Sequence, residues 1–191
     1  MMSLHRSHRA RSQSSPLSTQ PKYAAQGATH RRTEEAILLA TKDLIAASGA
    51  SKISMIDISG RSQVARATLY NHFRDKSAVI QALLQAEIGR IIQEMQNVGT
   101  PANALEFLSR SISSDPALAG LRIHDPSLLA QLLIHSEHPL YLELARAIFS
   151  LTQSPSATGL AMRWLLGQVL QPVTPEQSRD QAALLVENTL F

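Results

Sequence analysis

The chain has 191 residues, a formal net charge of +3, 44% hydrophobic residues and only 4% aromatic ones. It has no cysteine, which excludes disulfides, thiolate metal sites and cysteine nucleophiles and fits a reducing compartment. No apolar run approaches the ~18 residues of a membrane span, and the basic N-terminus lacks the apolar segment of a signal peptide, so a cytoplasmic protein without a membrane partner is expected.

The charge is unevenly placed. Residues 1–33 hold six Lys or Arg and no acid, residues 34–80 hold six against five acids, and residues 81–191 hold six against ten. A basic front and an acidic back direct a polyanionic partner to the N-terminal part.

Residues 1–30 are rich in Ser, Gln, Arg and His without apolar periodicity, the composition of a disordered basic tail. The tail is either an arm adding phosphate contacts or a solvated extension, and the second is the simpler reading for residues 1–25. Arg31 and Arg32, beside the first helix, are the expected DNA contacts there. Helix 1 is expected over about Thr33 to Ser48, with Ile37, Thr41, Leu44, Ile45 and Ser48 as its buried stripe and Gly49 as its stop. Ser54 with Asp57 three residues on forms a weak capping box opening helix 2, in which Met55 and Ile58 face inward.

The stretch Thr68 to Lys76 reads TLYNHFRDK. On a helix, Leu69 and Phe73 share one edge, and Ala67 and Asn71 lie almost opposite. Tyr70 and Thr68 flank that ridge, with His72 behind Thr68. A small-plus-amide ridge between hydroxyl shoulders suits a DNA major groove, the ridge meeting base edges and the shoulders phosphates. Two short helices joined by a tight turn and braced by a longer one make a helix-turn-helix head over residues 31–77, with its motif at 54–73. Arg66, Ala67 and Asn71 are expected at bases, and Thr68, Tyr70, His72 and Lys76 at phosphates. Arg32 and Ser54 complete the DNA-binding set.

Helix 4 is expected from Asp75–Ser77 to about Asn97, spanning about 30 Å and joining the head to residues 78–191. Beyond it, Thr100-Pro101, Asp115-Pro116, Asp125-Pro126, Ser154-Pro155 and Thr174-Pro175 each set a capping side chain before a proline at the first helical position. With Pro139 opening one more, helices are expected near 101–113, 116–122, 126–137, 139–151, 155–171 and 175–190. No segment alternates like a strand, so the fold class is all-α. Leu160, Ala161, Met162, Trp164, Leu165, Leu166, Val169 and Leu170 wrap nearly around their helix, which must be covered on more than one side.

Gly49, Ser54-Met55, Ile58, Val64, and Thr68-Leu69-Tyr70-Asn71-His72-Phe73 with Lys76 resemble the DNA-binding head of the TetR/AcrR family of bacterial transcriptional regulators. The resemblance covers about Arg32 to Leu84. Ser59, Ser62-Gln63 and Ala65 depart from its pattern of Ala, Ala-Gly and Ser. Gln63 in a turn that favours glycine implies strain or a turn without positive φ, and Ala65 removes a hydroxyl cap. The resemblance implies a homodimer paired through the last two helices and a palindromic double-stranded operator. It also implies a repressor released by a small-molecule effector bound in the helical C-terminal domain, with helix 4 as the lever. Gln131, His135, Tyr141, Arg146, Arg163 and Trp164 are candidate pocket residues on that basis.

His135, Glu137 and His138, with His124-Asp125 upstream, have spacings that a divalent metal can use, but Pro139 interrupts the helix there and polar surface groups are the simpler reading. No nucleotide loop, nucleophile elbow or carboxylate pair is present, so no enzymatic activity, cofactor or metal is expected. The alternative function is a helical protein-interaction module whose head lacks sequence-specific DNA binding.

Overall fold

The computed structural model describes residues 20–134 and 138–187. Among them are ten helices and no strand: α1 (Gln20–Ser48), α2 (Met55–Ser62), α3 (Arg66–His72), α4 (Lys76–Met95), α5 (Pro101–Ser114), α6 (Pro116–His124), α7 (Pro126–Ile134), α8 (Pro139–Thr152), α9 (Pro155–Leu170) and α10 (Pro175–Glu187).

The prolines mark six of these starts, and side chains complete several of them. Thr100, Asp115 and Ser154 accept the backbone N–H groups of Asn103, Leu118 and Ala157, and the Thr174 hydroxyl accepts that of Gln177. Each satisfies one of the amides a helix leaves without an internal partner. The Asp125 carboxylate instead reaches the head, where it accepts the Ser51 N–H at 3.0 Å. His138 caps α8 through Nδ1, which accepts the Leu140 N–H at 3.2 Å, so it belongs to the start of a new helix and not to the end of α7.

One expectation is overturned. Residues 20–30, assigned to a disordered tail, are the first turns of α1, which begins at Gln20 and not near Thr33. The expected tail over residues 1–19 lies outside the described residues.

Apolar side chains form two cores. The first gathers Ile37, Ile45, Ile53, Ile58, Leu69 and Phe73 of the head and continues through Val79 and Leu83 of α4 to Leu121, Leu129 and Val169. The second lies within the body, around Met95, Leu105, Leu108, Ile148, Met162 and Leu165. Between α1 and α6 the backbones approach so closely that a Cβ on Gly120 would lie 2.3 Å from the Ile45 carbonyl oxygen. Only glycine lets α6 lie there.

Candidate nucleic-acid interface

The head is held by polar stitching around a small apolar centre. Ser54 caps α2 in a reciprocal box: its Oγ accepts the Asp57 N–H at 3.3 Å, and Asp57 Oδ2 accepts the Ser54 N–H at 2.8 Å. The Ser54 hydroxyl itself donates to Asp57 Oδ2 at 2.6 Å, and these Ser54 hydrogen bonds hold the Asp57 carboxyl below the usual range. The hydroxyl hydrogen of Ser54, a residue expected in the DNA-binding set, thus already has an acceptor inside the box.

The turn from α2 to α3 passes through Gln63 at φ 57°, in the left-handed region. That is the strained one of the two readings of this turn, because a side chain there crowds the following carbonyl. Two departures from the family pattern compensate. Ser59 Oγ donates to the Val64 carbonyl at 2.7 Å, and Ser62 Oγ donates to that of Ile58 at 2.7 Å. Ala65 precedes α3 without a side-chain cap, as its methyl requires.

On α3, Leu69 is fully buried and Phe73 nearly so. Arg66, Ala67, Thr68, Tyr70 and Asn71 are exposed in one continuous ridge, and Arg32 is exposed on α1. His72 is half-buried, its ring stacked on that of His30 with centroids 4.0 Å apart. Burial, then the charge of His30, hold the His72 imidazole below the ordinary histidine range. Lys76 behaves differently from the sequence expectation. Its Nζ donates to the carbonyls of Ala50 at 3.0 Å, Ser51 at 3.3 Å and Ile53 at 3.0 Å. An ammonium has three donors, so this lysine ties the α1–α2 loop to α4 and has none left for a phosphate.

Residues 37–83 match the family model described as "Bacterial regulatory proteins, tetR family". The match covers most of the head and the first turns of α4. Solved structures of bacterial regulators are similar in fold over most of the chain. The repressor AlkX from Dietzia sp. strain DQ12-45-1b is 20% identical, with a TM-score of 0.59 over 82% of this chain and 95% of its own. The fatty acid degradation regulator FadR from Bacillus halodurans is 17% identical, with a TM-score of 0.60 over 80% and 94%. FadR from Bacillus subtilis, solved with stearoyl-CoA, is 18% identical, with a TM-score of 0.50 over 80% and 97%. No curated protein matches the chain. These structural likenesses, all at or below 20% identity, show the fold. No helix among the described residues is long and apolar enough to cross a membrane.

Behind the head, a cavity of about 300 Å³ opens between α1, α4, α5, α6, α7, α8 and α9. Its walls are mostly Leu and Ile, including Ile45, Leu83, Leu108, Leu118, Leu121, Leu129 and Leu165. Of the six candidate pocket residues, Tyr141 lines it. Gln131 is exposed on α7. Arg146 borders a shallow open groove between α8 and α9. Arg163 is exposed and donates to the Gly159 carbonyl at 3.1 Å. The Trp164 indole donates to Gln181 Oε1 at 2.6 Å, fixing α9 to α10. His135 lies outside the described residues. Arg146, Arg163 and Trp164 thus lie off this cavity: helical spacing gave the elements but not which face of each meets it.

Sequence reasoning missed the polar end of this cavity. Lys42 Nζ lies 2.8 Å from both Glu87 Oε2 and Asp115 Oδ2, joining α1 of the head to α4 and to the cap of α6. Burial opposes the Lys42 charge, and the hydrogen bonds to Asp115 and Glu87 outweigh it, raising the ammonium above the ordinary lysine range. No local spacing signals three groups so far apart in the chain.

Proposed function

We propose that the chain acts as a homodimeric repressor, each copy laying α3 in one of two successive major grooves of a palindromic operator. The observation that carries this is the exposed ridge of α3, held outward by the burial of Leu69 and Phe73. In this reading Arg66, Ala67 and Asn71 meet base edges, Thr68 and Tyr70 hold phosphates, and Arg32 and His72 add contacts at the flank. Half-sites would be ~34 Å apart. Lys76 acts from within, by fixing the loop.

The dimer reading is supported by α9 and α10. Leu160, Gly167 and Leu170 share one exposed face of α9, and Leu184 is exposed on α10. A second copy's α9 and α10 would cover these residues.

The effector is a compact apolar molecule bound in the cavity. A volume of about 300 Å³ is at the small end of ligand pockets, and the walls offer few polar partners. Occupancy would bear on Ile45 and Ala50 of the head as well as on α4 and α6. It weakens operator binding only if the ligand prefers the conformation with the heads misplaced.

Selection of bound duplexes from a random library tests the reading. The expected result is an enriched palindrome, whose choice relaxes at one or two positions in Asn71→Ala and whose affinity drops uniformly in Tyr70→Phe. Recovery of duplexes with no shared sequence would reject specific recognition and leave the protein-interaction module as the better account.

A further inference from the structure

His30 and Glu34 stand four residues apart on α1 and therefore share a face one turn apart. His72, the last residue of α3, packs against that face. Its ring is stacked on that of His30, with an angle of 18° between the two planes. One ligand atom from each of His30, Glu34 and His72 falls within 4.8 Å of the other two.

We propose that His30, Glu34 and His72 form a binding site for a divalent transition metal of the zinc class, joining the start of α1 to the end of the recognition helix. The donor set decides the class: two imidazoles and one carboxylate suit zinc and its neighbours, whereas magnesium and calcium take oxygen ligands. Tetrahedral zinc holds nitrogen ligands about 2.0–2.1 Å away, and so places them about 3.3 Å from each other. A metal lies in the plane of each imidazole that binds it, so the two stacked rings must turn out of their stack to converge on one ion, a turn open to His30 because it is exposed on α1. Three protein ligands leave a fourth position for water or an outside group.

The arrangement also has a physical reason to favour a cation. Two stacked imidazoles repel one another once both carry protons. A shared metal ion accepts a lone pair from each ring and draws in the Glu34 carboxylate. The ion would brace the N-terminal turns of α1, which otherwise project beyond the head's core. It takes one of the two His72 ring nitrogens and leaves the other as an N–H donor.

The test is titration of the untagged full chain with Zn(II), with affinity read by competition against a chromophoric chelator, and with Co(II), whose visible spectrum reports coordination. One equivalent should bind, with a Co(II) spectrum of four-coordinate nitrogen–oxygen type. His30→Ala and Glu34→Gln should each weaken binding by about tenfold or more, with unchanged helical content and melting in metal-free buffer. His5→Ala/His8→Ala and His135→Ala/His138→Ala should bind as the parent does. Unchanged affinity in His30→Ala and Glu34→Gln, or loss in either of the other two variants, would overturn the site. Operator selection is read separately, so a failed metal site and a failed DNA reading remain distinguishable.

Discussion

The two cores divide the labour of the molecule differently. The body core around Leu105, Leu108, Ile148 and Leu165 is closed on itself and carries a buried polar knot, in which Ser109 Oγ lies 2.7 Å from the Gln168 amide and 2.8 Å from Ser178 Oγ. The head core has no such closure. It runs out of the head through Val79 and Leu83 and ends on Leu121, Leu129 and Val169 of the body. Ile112 packs against both, and the cavity lies along the same seam, lined from one core by Ile45, Leu83 and Leu121 and from the other by Leu108, Met162 and Leu165. A ligand there does not need a relay to reach the head, since it displaces side chains that already belong to the head's core. Interiors are packed densely enough that such displacement is felt on both sides.

The seam is most directly broken at Gly120. A methyl there meets the Ile45 oxygen at 2.3 Å and the Ala46 Cα at 2.7 Å, both backbone, so α6 must leave α1. Gly120→Ala is expected to cost about 3 kcal/mol and lower the melting midpoint by ~6–12 °C. Gly89→Ala on α4, where nothing lies within 4 Å, should gain about 0.5–1 kcal/mol from helix propensity. Equal melting of the two variants would show that the α1–α6 approach is not tight in solution. Lys42→Met should cost less, about 1–2 kcal/mol after discounting for partial exposure. A double-mutant cycle with Glu87→Gln reads the coupling across the seam, and additive effects there would remove the ion triad from the joint.

These features differ in how far the sequence announces them. The helix starts were legible because a capping side chain followed by proline acts locally, within a single turn. The α3 ridge was legible for a similar reason, its period fixing Leu69 and Phe73 inward and Asn71 outward. Tertiary partners were not legible. Asp125 is spelled like its four counterparts, yet its carboxylate reaches Ser51. Lys76 looks like a phosphate ligand until the fold surrounds it with three carbonyls. His30 looks like part of the tail because nothing local shows that α1 starts ten residues before it.

Lys76 sharpens the contrast between what the head displays and what holds it. As an internal tie, Lys76→Met should lower stability by about 1–3 kcal/mol, since its hydrogen bonds are charge-assisted. It should leave the salt dependence of operator binding unchanged. Arg32→Ala, by contrast, should spare stability and reduce the slope of log affinity against log salt by about 1. If Lys76→Met reduced the slope instead, the ammonium would reach phosphate in the complex and the loop would be held by something else.

The smallest effect concerns the turn before α3, and it separates strain from compensation. Gln63 at φ 57° bears a side chain where glycine has none, so Gln63→Gly should gain about 1 kcal/mol, less what glycine's freer unfolded chain removes. Ser59→Ala removes the 2.7 Å bond to the Val64 carbonyl and should lose about 1 kcal/mol. If Ser59 stabilises the turn only because Gln63 strains it, the two changes interact: the loss from Ser59→Ala should shrink in the Gln63→Gly background. Denaturant midpoints of the four proteins read this directly. Strict additivity would mean that the Ser59 bond holds the turn whatever residue occupies position 63, and that this head's departures from the family pattern are independent of one another and not a matched set.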